Sequence, residues 1–159
     1  METFAAVVIT VSDGVSAGKR EDLSGASLEL LLKERGYAVS RDLVPDEESE
    51  IEAALRRAAE TARLVVTTGG TGFGPRDVTP EATDAVLERK APGLVHLMIS
   101  KGLESTPMAA LSRARAGAIG SSLVVNLPGS PRGATESLEA IIDLIPHVLQ
   151  LLAGDTEHH

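Results

Sequence analysis

Apolar runs and stretches with helical spacing alternate along this chain. Runs rich in Val, Ile and Leu occupy residues 5–11, 64–67 and 123–127, and continuous runs of this kind are typical of strands buried on both faces. A further strand is predicted over 37–44, and Pro45 ends it. The pattern therefore predicts a sheet whose strands are covered by other elements.

Helix signals fall between these strands. Ser24 is the predicted N-cap of the first helix, Gly36 its predicted end, and Thr79 is the predicted N-cap of a later helix that starts with Pro80. Alternating strands and helices predict an α/β fold, a three-layer α/β/α sandwich with a mostly parallel sheet, in one domain over 1–159. The spacing predicts helices over 24–35, around 51–59, from 79, over 92–101, over 108–113 and over 133–152, with a break before Pro146.

Composition narrows the classes of function. The net charge of −8 argues against general binding to nucleic acid or to anionic membranes, and no segment is long enough to span a bilayer. The absence of cysteine excludes disulfides, thiolate catalysis and cysteine zinc sites. The N-terminal apolar run is short and no basic residue precedes it, so it is interpreted as a strand rather than a signal peptide, and a cytoplasmic protein is expected.

Four of the predicted strands end in polar or glycine-rich loops. These loops are Ser12 and Asp13 in a polar segment that continues to about residue 22, Pro45 and Asp46, residues 68–77, and residues 128–131. In open α/β sheets, ligands bind beyond the carboxyl ends of the parallel strands. The sequence therefore predicts one site assembled from four separate loops.

The segment over 65–83, VVTTGGTGFGPRDVTPEAT, has the strongest chemical signal. Its glycine turn lets the backbone approach a ligand closely and can place N–H groups around an anion, although such turns also serve as plain strand-to-helix connections. The turn lacks the GKS or GKT ending of a P-loop and the GxGxxG spacing of dinucleotide-binding folds. It therefore predicts a phosphate site of neither common type.

Asp46 and Asp77 are the candidate metal ligands. Each has an ordinary structural explanation, because Asp46 can cap the helix after it and Asp77 can form a turn or pair with Arg76. Two aspartates at neighbouring strand ends beside a phosphate-binding turn can also hold a hydrated Mg²⁺ that bridges phosphate oxygens. Together they favour phosphate chemistry with a divalent metal.

Other polar residues fall at the same predicted edge. Arg76, Arg113 and Arg132 lie near loops where a guanidinium can neutralise a transferring phosphate, although each alone also fits a solvated surface charge. Ser112 lies where a short helix turns back towards the sheet. The PGSP turn over 128–131 places N–H groups at a helix start, which is a second potential anion site.

Five motifs occur in order along the chain: TVSD at 10–13, LVPDE at 43–47, TTGGTGFGPRDVTPEAT at 67–83, PMAALSR at 107–113 and NLPGSP at 126–131. In these motifs the chain resembles the MogA/MoaB family of molybdopterin adenylyltransferases, which is also found as the G domain of gephyrin-like proteins. The resemblance covers nearly the whole chain, and the RDVTPEA block is highly specific. It implies that Mg-ATP and molybdopterin react to adenylyl-molybdopterin and pyrophosphate, in molybdenum cofactor biosynthesis.

The resemblance also implies roles for individual residues. Asp46 and Asp77 would be the acidic residues essential for adenylyl transfer, acting through Mg²⁺. Nucleotide and pterin phosphates would be bound by Thr68, Gly69, Gly70, Thr71, Gly72 and Arg76. The pterin would be bound by Ser12, Asp13, Ser112, Pro128, Gly129, Ser130 and Pro131. Gly14 departs from the family, many members of which have Arg or another polar residue after TVSD.

The resemblance further implies partners and leaves alternatives open. Family members form trimers, some of which associate into hexamers, and the pterin would pass from molybdopterin synthase to a molybdenum-insertion enzyme. One alternative is a paralogue that binds molybdopterin without adenylylating it. Another is a scaffold of the gephyrin type, and a third is a relative of the domains in longer insertion and CinA-like proteins. A tungsten cofactor is as compatible with the sequence as a molybdenum cofactor.

Overall fold

A six-stranded sheet lies at the centre of the protein, in a computed structural model that describes residues 3–155. The strands are β1 (Ala5–Val11), β2 (Ala38–Val44), β3 (Leu64–Thr68), β4 (Arg89–Lys90), β5 (Ala116–Ile119) and β6 (Ser122–Leu127). Their order is β2-β1-β3-β6-β5-β4, with parallel pairing from β2 to β6 and antiparallel pairing of β5 with β6 and β4. The predicted α/β fold with a mostly parallel sheet is confirmed.

The sequence pattern does not predict the two antiparallel strands. β4 has only two residues, both charged and exposed, and β5 reads AGAI, which has only one large apolar side chain. Neither segment forms the apolar run by which the other four strands are recognised. The four parallel strands agree with the predicted ones to within one residue at each end.

The helices are α1 (Asp13–Ser16), α2 (Leu23–Glu34), α3 (Glu48–Thr61), α4 (Thr79–Val86), α5 (Pro92–Leu103), a 3₁₀ helix (Pro107–Leu111), α6 (Pro131–Ile141) and α7 (Ile145–Leu152). The predicted break before Pro146 is confirmed, since α6 ends at Ile141. Two predicted caps are wrong. Asp22, not Ser24, caps α2 by accepting the Gly25 N–H, and Val78, not Thr79, is the N-cap of α4.

Helices cover both faces of the sheet, so the predicted three layers are present. On one face, α2, α5, α6 and α7 bury Leu28, Met98, Leu138 and Leu149, among others, against strand residues such as Val66. On the other face, α3 and α4 bury Ile51, Leu55 and Ala82 against Val7, Ile9 and Val65. Full burial of each large aliphatic side chain contributes about 1.5–3 kcal/mol. No helix within residues 3–155 has the length and apolar character needed to cross a bilayer.

The parallel strands bring their carboxyl ends to one edge, where the loops are joined by hydrogen bonds. The Ser12 N–H donates to the Val44 carbonyl at 2.9 Å. The Gly69 N–H donates to the Leu127 carbonyl at 3.1 Å, and the Thr68 hydroxyl donates to the Pro128 carbonyl at 2.7 Å. The four loops that the sequence analysis singled out therefore meet, as predicted.

Candidate active site

The glycine turn after β3 is built for close backbone contact. Gly69 and Gly70 have φ values of +107° and +70°, which L side chains rarely adopt. A Cβ on Gly69 would meet the Val11 carbonyl oxygen, and one on Gly70 would meet the Thr79 hydroxyl and lie 3.2 Å from Asp46 Oδ1. The Thr79 hydroxyl donates to the Gly69 carbonyl at 2.9 Å, so α4 and the turn are fastened together.

Asp46 is held beside this turn by a reciprocal pair of bonds with Asp13. The Asp13 N–H donates to Asp46 Oδ2 at 2.9 Å, and the Asp46 N–H donates to Asp13 Oδ1 at 3.0 Å. Burial raises the pKa of Asp46, the bond from Asp13 opposes this, and the charges of Asp13 and Asp77 raise it further. Oδ2 is thus occupied, while Oδ1 faces Gly70.

Asp77 lies beside the later glycines of the turn, Gly72 and Gly74. Its Oδ2 accepts the Gly74 N–H at 2.8 Å, and a Cβ built on Gly72 or Gly74 would come within 3.0 Å of the same oxygen. The side chain is half-buried, and it lines the same cavity as Asp46. The two predicted metal ligands are therefore brought to one cavity.

The Arg76 guanidinium, predicted to bind phosphate, pairs with Asp13. Nε and Nη2 lie 3.0 and 3.1 Å from the two carboxylate oxygens, a bidentate arrangement between two exposed side chains. This pair lowers the pKa of Asp13, chiefly through the hydrogen bonds of Arg76. Asp13 is also bonded to Asp46. Arg76 therefore helps to position Asp46 indirectly, by holding Asp13 in place.

Arg113 fastens the glycine turn from outside. Its Nε donates to the Gly72 carbonyl at 2.7 Å and its Nη2 donates to the Asp77 carbonyl at 2.7 Å, while Nη1 pairs with Glu81 at 2.6 Å. The guanidinium also lies 5.3 Å from the centre of the Phe73 ring. These bonds use most of its donors, so Arg113 positions the turn. Arg132, the third candidate, is 82% exposed, pairs with Glu136 and lines neither cavity described below.

A polar cavity of ≈ 520 Å³ opens at this edge of the sheet. Four acidic residues line it, two of which, Glu21 and Asp22, were not singled out from the sequence. Asp22 receives the Thr10 hydroxyl and the Arg41 guanidinium, both at 2.6 Å, so it ties α2 to β1 and β2. The sequence-predicted residues in its wall are Ser12, Asp46, Thr68, Gly69, Gly70, Asp77, Gly129, Ser130 and Pro131.

A second, mostly apolar cavity of ≈ 390 Å³ lies on the other side of the turn. Its walls come from α5, the 3₁₀ helix and α6, and include Ala109 from the PMAALSR motif together with Met98 and Ile99, which no motif identified. Ser130, whose hydroxyl caps α6 by accepting the Gly133 N–H at 3.1 Å, lines both cavities. The predicted residues Thr71, Gly72, Ser112 and Pro128 line this cavity and not the polar one.

A buried amide supports the floor of the apolar cavity. Asn126 is fully buried in β6, and its Nδ2 donates to the Thr67 and Thr83 hydroxyls at 3.0 Å. Its Oδ1 accepts the Arg115 N–H, also at 3.0 Å. The network fixes β3, α4 and β6 relative to one another, because a buried amide left unpaired is costly. In the sequence, this role of Asn126 was indicated only by its position as a polar residue within an apolar strand.

The carboxylates suit a partly hydrated cation. Residues 3–155 contain no group of three or more His, Asp or Glu side chains able to surround a metal. Burial is nevertheless the main cause of the raised pKa of Asp46, and the charges of Asp13 and Asp77 add to it, so a cation in the cavity would stabilise the ionised carboxylates. Mg²⁺ in phosphate sites is commonly held by one or two carboxylates, with phosphate oxygens and waters as the other ligands. The donor set therefore fits Mg²⁺.

Comparisons with known proteins agree with this arrangement. Residues 7–147 match a family described as "Probable molybdopterin binding domain". The chain is 40% identical to the molybdopterin adenylyltransferase of Helicobacter pylori strain ATCC 700392 / 26695, covering 98% of this chain and 91% of that protein. It is also 40% identical to the molybdenum cofactor synthesis protein cinnamon of Drosophila melanogaster, covering 98% of this chain but spanning 26% of that longer protein.

Solved structures give the same picture. The molybdopterin biosynthesis enzyme MoaB of Thermus thermophilus superposes with a TM-score of 0.87 at 47% identity, covering 96% of this chain and 98% of that one. The Mog protein of Mycobacterium ulcerans superposes with a TM-score of 0.90 at 35% identity, covering 97% and 99% of the two chains. The similarity thus extends over nearly the full length of both partners in each comparison.

Proposed function

This chain belongs to the MogA/MoaB family of molybdopterin-binding domains, and on that premise we propose that it is a molybdopterin adenylyltransferase of molybdenum cofactor biosynthesis. A terminal phosphate oxygen of molybdopterin attacks the α-phosphorus of ATP. The bond between the α-phosphorus and the bridging oxygen breaks, and pyrophosphate leaves with the electron pair. The products are adenylyl-molybdopterin and pyrophosphate.

One observation supports this reaction above the rest: the glycine turn separates a polar cavity from an apolar one. Thr68, Gly69 and Gly70 face the cavity with the carboxylates, and Thr71 and Gly72 face the cavity with apolar walls. A transfer between a triphosphate and a flat pterin requires neighbouring places for an anion and for a ring. The two cavities meet at Ser130, where the attacking phosphate and the α-phosphate would come together.

The polar cavity receives the triphosphate of ATP. Asp46 and Asp77 would hold Mg²⁺, which would supply positive charge to offset that of the phosphate oxygens. Asp13 fixes Asp46 through Oδ2, so Oδ1 stays directed at the cavity next to Gly70. Arg76 holds Asp13 in turn. Catalysis here consists of positioning and charge neutralisation, because no covalent intermediate is required.

The apolar cavity receives the pterin. Met98, Ile99 and Ala109 supply apolar contact area, and the hydroxyl of Ser112 supplies a polar group for the pterin edge or its side chain. Of the other residues that the resemblance assigns to the pterin, Pro128 lines the apolar cavity and Ser130 lines both cavities. Ser12, Gly129 and Pro131 line only the polar cavity, beside which Asp13 is bonded to Asp46. In the proposed reaction they contact the terminal phosphate of molybdopterin rather than its ring.

The oligomeric state, location and partner enzymes of this protein are proposed from its family. We expect a homotrimer, with hexamers as a further association, working in the cytoplasm between molybdopterin synthase and the molybdenum-insertion enzyme. The carboxylate-rich cavity and the negative net charge leave nucleic acid and membranes as poor partners.

The test is conversion of molybdopterin and ATP to adenylylated pterin, followed by chromatography, together with release of pyrophosphate. Wild-type protein should turn over with Mg²⁺ and stop with a chelator. Asp77→Asn and Asp46→Asn should each lower kcat by about 100-fold or more, the size of effect seen when one electrostatic group is removed from an active site. Asp42→Asn is the matched control on β2, where the side chain is 37% exposed and pairs with Arg57, and it should keep wild-type turnover.

Two results would contradict the proposal. Wild-type protein that binds molybdopterin but makes no adenylylated product would be a binding paralogue. Wild-type turnover in Asp77→Asn would remove that carboxylate from the reaction while leaving the enzyme assignment intact.

A further inference from the structure

The polar cavity has one basic side chain in its wall. Its charged lining consists of Glu21, Asp22, Asp46 and Asp77 together with Arg20, which lies between α1 and α2. A triphosphate entering this cavity would meet four carboxylates, whose charge is opposed by Arg20 and by any bound metal. Charge balance therefore depends strongly on Arg20.

The other arginines near the glycine turn already have partners. Arg76 is paired with Asp13, and Arg113 is bonded to the carbonyls of Gly72 and Asp77 and to Glu81. The Arg20 side chain, in contrast, has no hydrogen bond or ion pair with any of residues 3–155. Its five N–H donors are thus available to a ligand.

The Arg20 guanidinium lies beside Gly14. A Cβ built on Gly14 would lie 2.7 Å from Nε, 3.1 Å from Nη2 and 3.3 Å from Cζ of Arg20. Gly14 follows Asp13, whose N–H bonds Asp46, so the guanidinium rests on the loop that holds the first carboxylate. The missing side chain at position 14 leaves the space that the Arg20 guanidinium fills.

We propose that Arg20, seated over Gly14, is a specificity-determining residue that binds the phosphate chain of the nucleotide in the polar cavity. The inference rests on the proposed function for the identity of the nucleotide, but its ligand chemistry is that of any polyphosphate. A guanidinium matches phosphate oxygens with two parallel N–H bonds, which gives recognition of the chain rather than of the base. ATP, GTP and inorganic tripolyphosphate should all depend on it.

Arg20→Gln tests this through both kinetics and binding. The KM for ATP should rise about tenfold, the loss of roughly one charge-assisted hydrogen bond, while kcat and the KM for molybdopterin stay within about twofold. The affinity for inorganic tripolyphosphate, measured by calorimetry in the presence of Mg²⁺, should fall by the same factor. Lys19→Gln removes the same charge one residue earlier, outside the cavity wall, and should leave every value unchanged.

A second variant moves the charge instead of removing it. In the exchange Gly14→Arg with Arg20→Gly, a cation again occupies the space above the loop, so tripolyphosphate affinity should return to within about threefold of wild type. An exchange that binds as weakly as Arg20→Gln would overturn the placement of the charge at this point.

The outcomes separate this inference from the proposed function. Equal tripolyphosphate affinity in wild type, Arg20→Gln and Lys19→Gln would overturn the role of Arg20, whatever the turnover. If wild-type protein makes no adenylylated pterin, yet tripolyphosphate affinity falls in Arg20→Gln alone, the enzyme assignment fails and the polyphosphate site stands.

Discussion

The two cavities beside the glycine turn are built in opposite ways. The polar cavity is lined by the ends of parallel strands, and its groups are fixed by hydrogen bonds such as those between Asp13 and Asp46. The apolar cavity is lined mainly by side chains of α5, the 3₁₀ helix and α6, which pack on one another rather than on the strand ends. Backbone geometry therefore sets the shape of the polar cavity, and the volume of side chains sets the shape of the apolar cavity.

Because of this difference, the two cavities should respond differently to substitutions. A cavity formed by glycine backbone and reciprocal hydrogen bonds resists an added Cβ, because the space beside Gly69 is filled by the Val11 carbonyl and the space beside Gly70 by the Thr79 and Asp46 side chains. A cavity formed by apolar side chains changes in size with each substitution, but its surroundings can adjust. Mutations on the two sides should therefore differ in the step of the reaction that they impair.

Among substitutions that distinguish the polar cavity from the apolar one, Gly70→Ala is expected to have the largest effect on turnover. The added Cβ meets the Thr79 hydroxyl and presses on Asp46 Oδ1, in a backbone conformation that disfavours any side chain. We expect kcat to fall by about 100-fold, as small displacements of reacting groups do, and stability to fall by about 1–3 kcal/mol. Denaturant unfolding and the adenylylation assay measure the two losses.

Gly120→Ala is the matched control for that substitution. Gly120 also has a positive φ, +57°, but a Cβ there would have nothing within 4 Å. It should show only the backbone strain, about 1 kcal/mol, and keep wild-type turnover. Equal turnover in the two variants would show that the fit around Gly70 does not matter for the reaction.

A smaller effect is expected from Ala109→Leu on the apolar side. The larger side chain projects into the cavity where the pterin is proposed to bind. The KM for molybdopterin should rise about tenfold, corresponding to about 1.4 kcal/mol of lost binding free energy, with the KM for ATP unchanged. Steady-state kinetics with each substrate varied in turn provide the measurement, and a rise in both KM values would mean that the cavities are not separate binding places.

The smallest effect is a dependence of stability on pH that arises from Asp46 on the polar side. Burial raises the pKa of Asp46 above its ordinary value of 3.8, so the folded state resists its ionisation. The cost is present at neutral pH and disappears as the pH falls through the raised pKa towards 3.8. Asp46→Asn should therefore raise Tm slightly at pH 7 and lose that gain in acid.

Asp143→Asn is the comparison for the pH series. This aspartate is exposed, pairs with Arg35 and lines neither cavity. It should bring no gain in Tm at any pH. A fall in Tm for Asp46→Asn at neutral pH would mean that the bond with Asp13 outweighs the burial of the charge.

The sequence reveals the polar cavity far better than the apolar one. Asp46, Asp77 and the glycine turn stand in short motifs at strand ends, where the topology of a parallel sheet brings them together. Met98 and Ile99 are ordinary helix residues outside every motif, and the cavity that they line appears only after the helices have packed. The roles of Arg76 and Arg113 could not be predicted either, because a guanidinium finds its partner through the tertiary fold.

The same limit applies to secondary structure. β1 is predicted to the residue, since its seven residues are all buried or half-buried apolar and small side chains. β4 and β5 are not predictable, because the pairing of β5 with β6 and of β4 with β5, and not their own residues, makes them strands. The sequence pattern places the cap of α2 at Ser24 although Asp22 caps it, an error of two residues that hides Asp22 from the predicted site.

The bonds of Arg113 have a consequence for the order of folding. The arginine lies 41 residues beyond the Gly72 carbonyl and 36 beyond the Asp77 carbonyl that it binds. Closing chain segments of that length is slow compared with forming local turns. The core pairing of Leu64 with Leu123 closes an even longer segment, so the Arg113 bonds should form after the sheet because they require the loop after β3 to be in place. Arg113→Lys should therefore speed unfolding while leaving the folding rate nearly constant, as stopped-flow measurements would show.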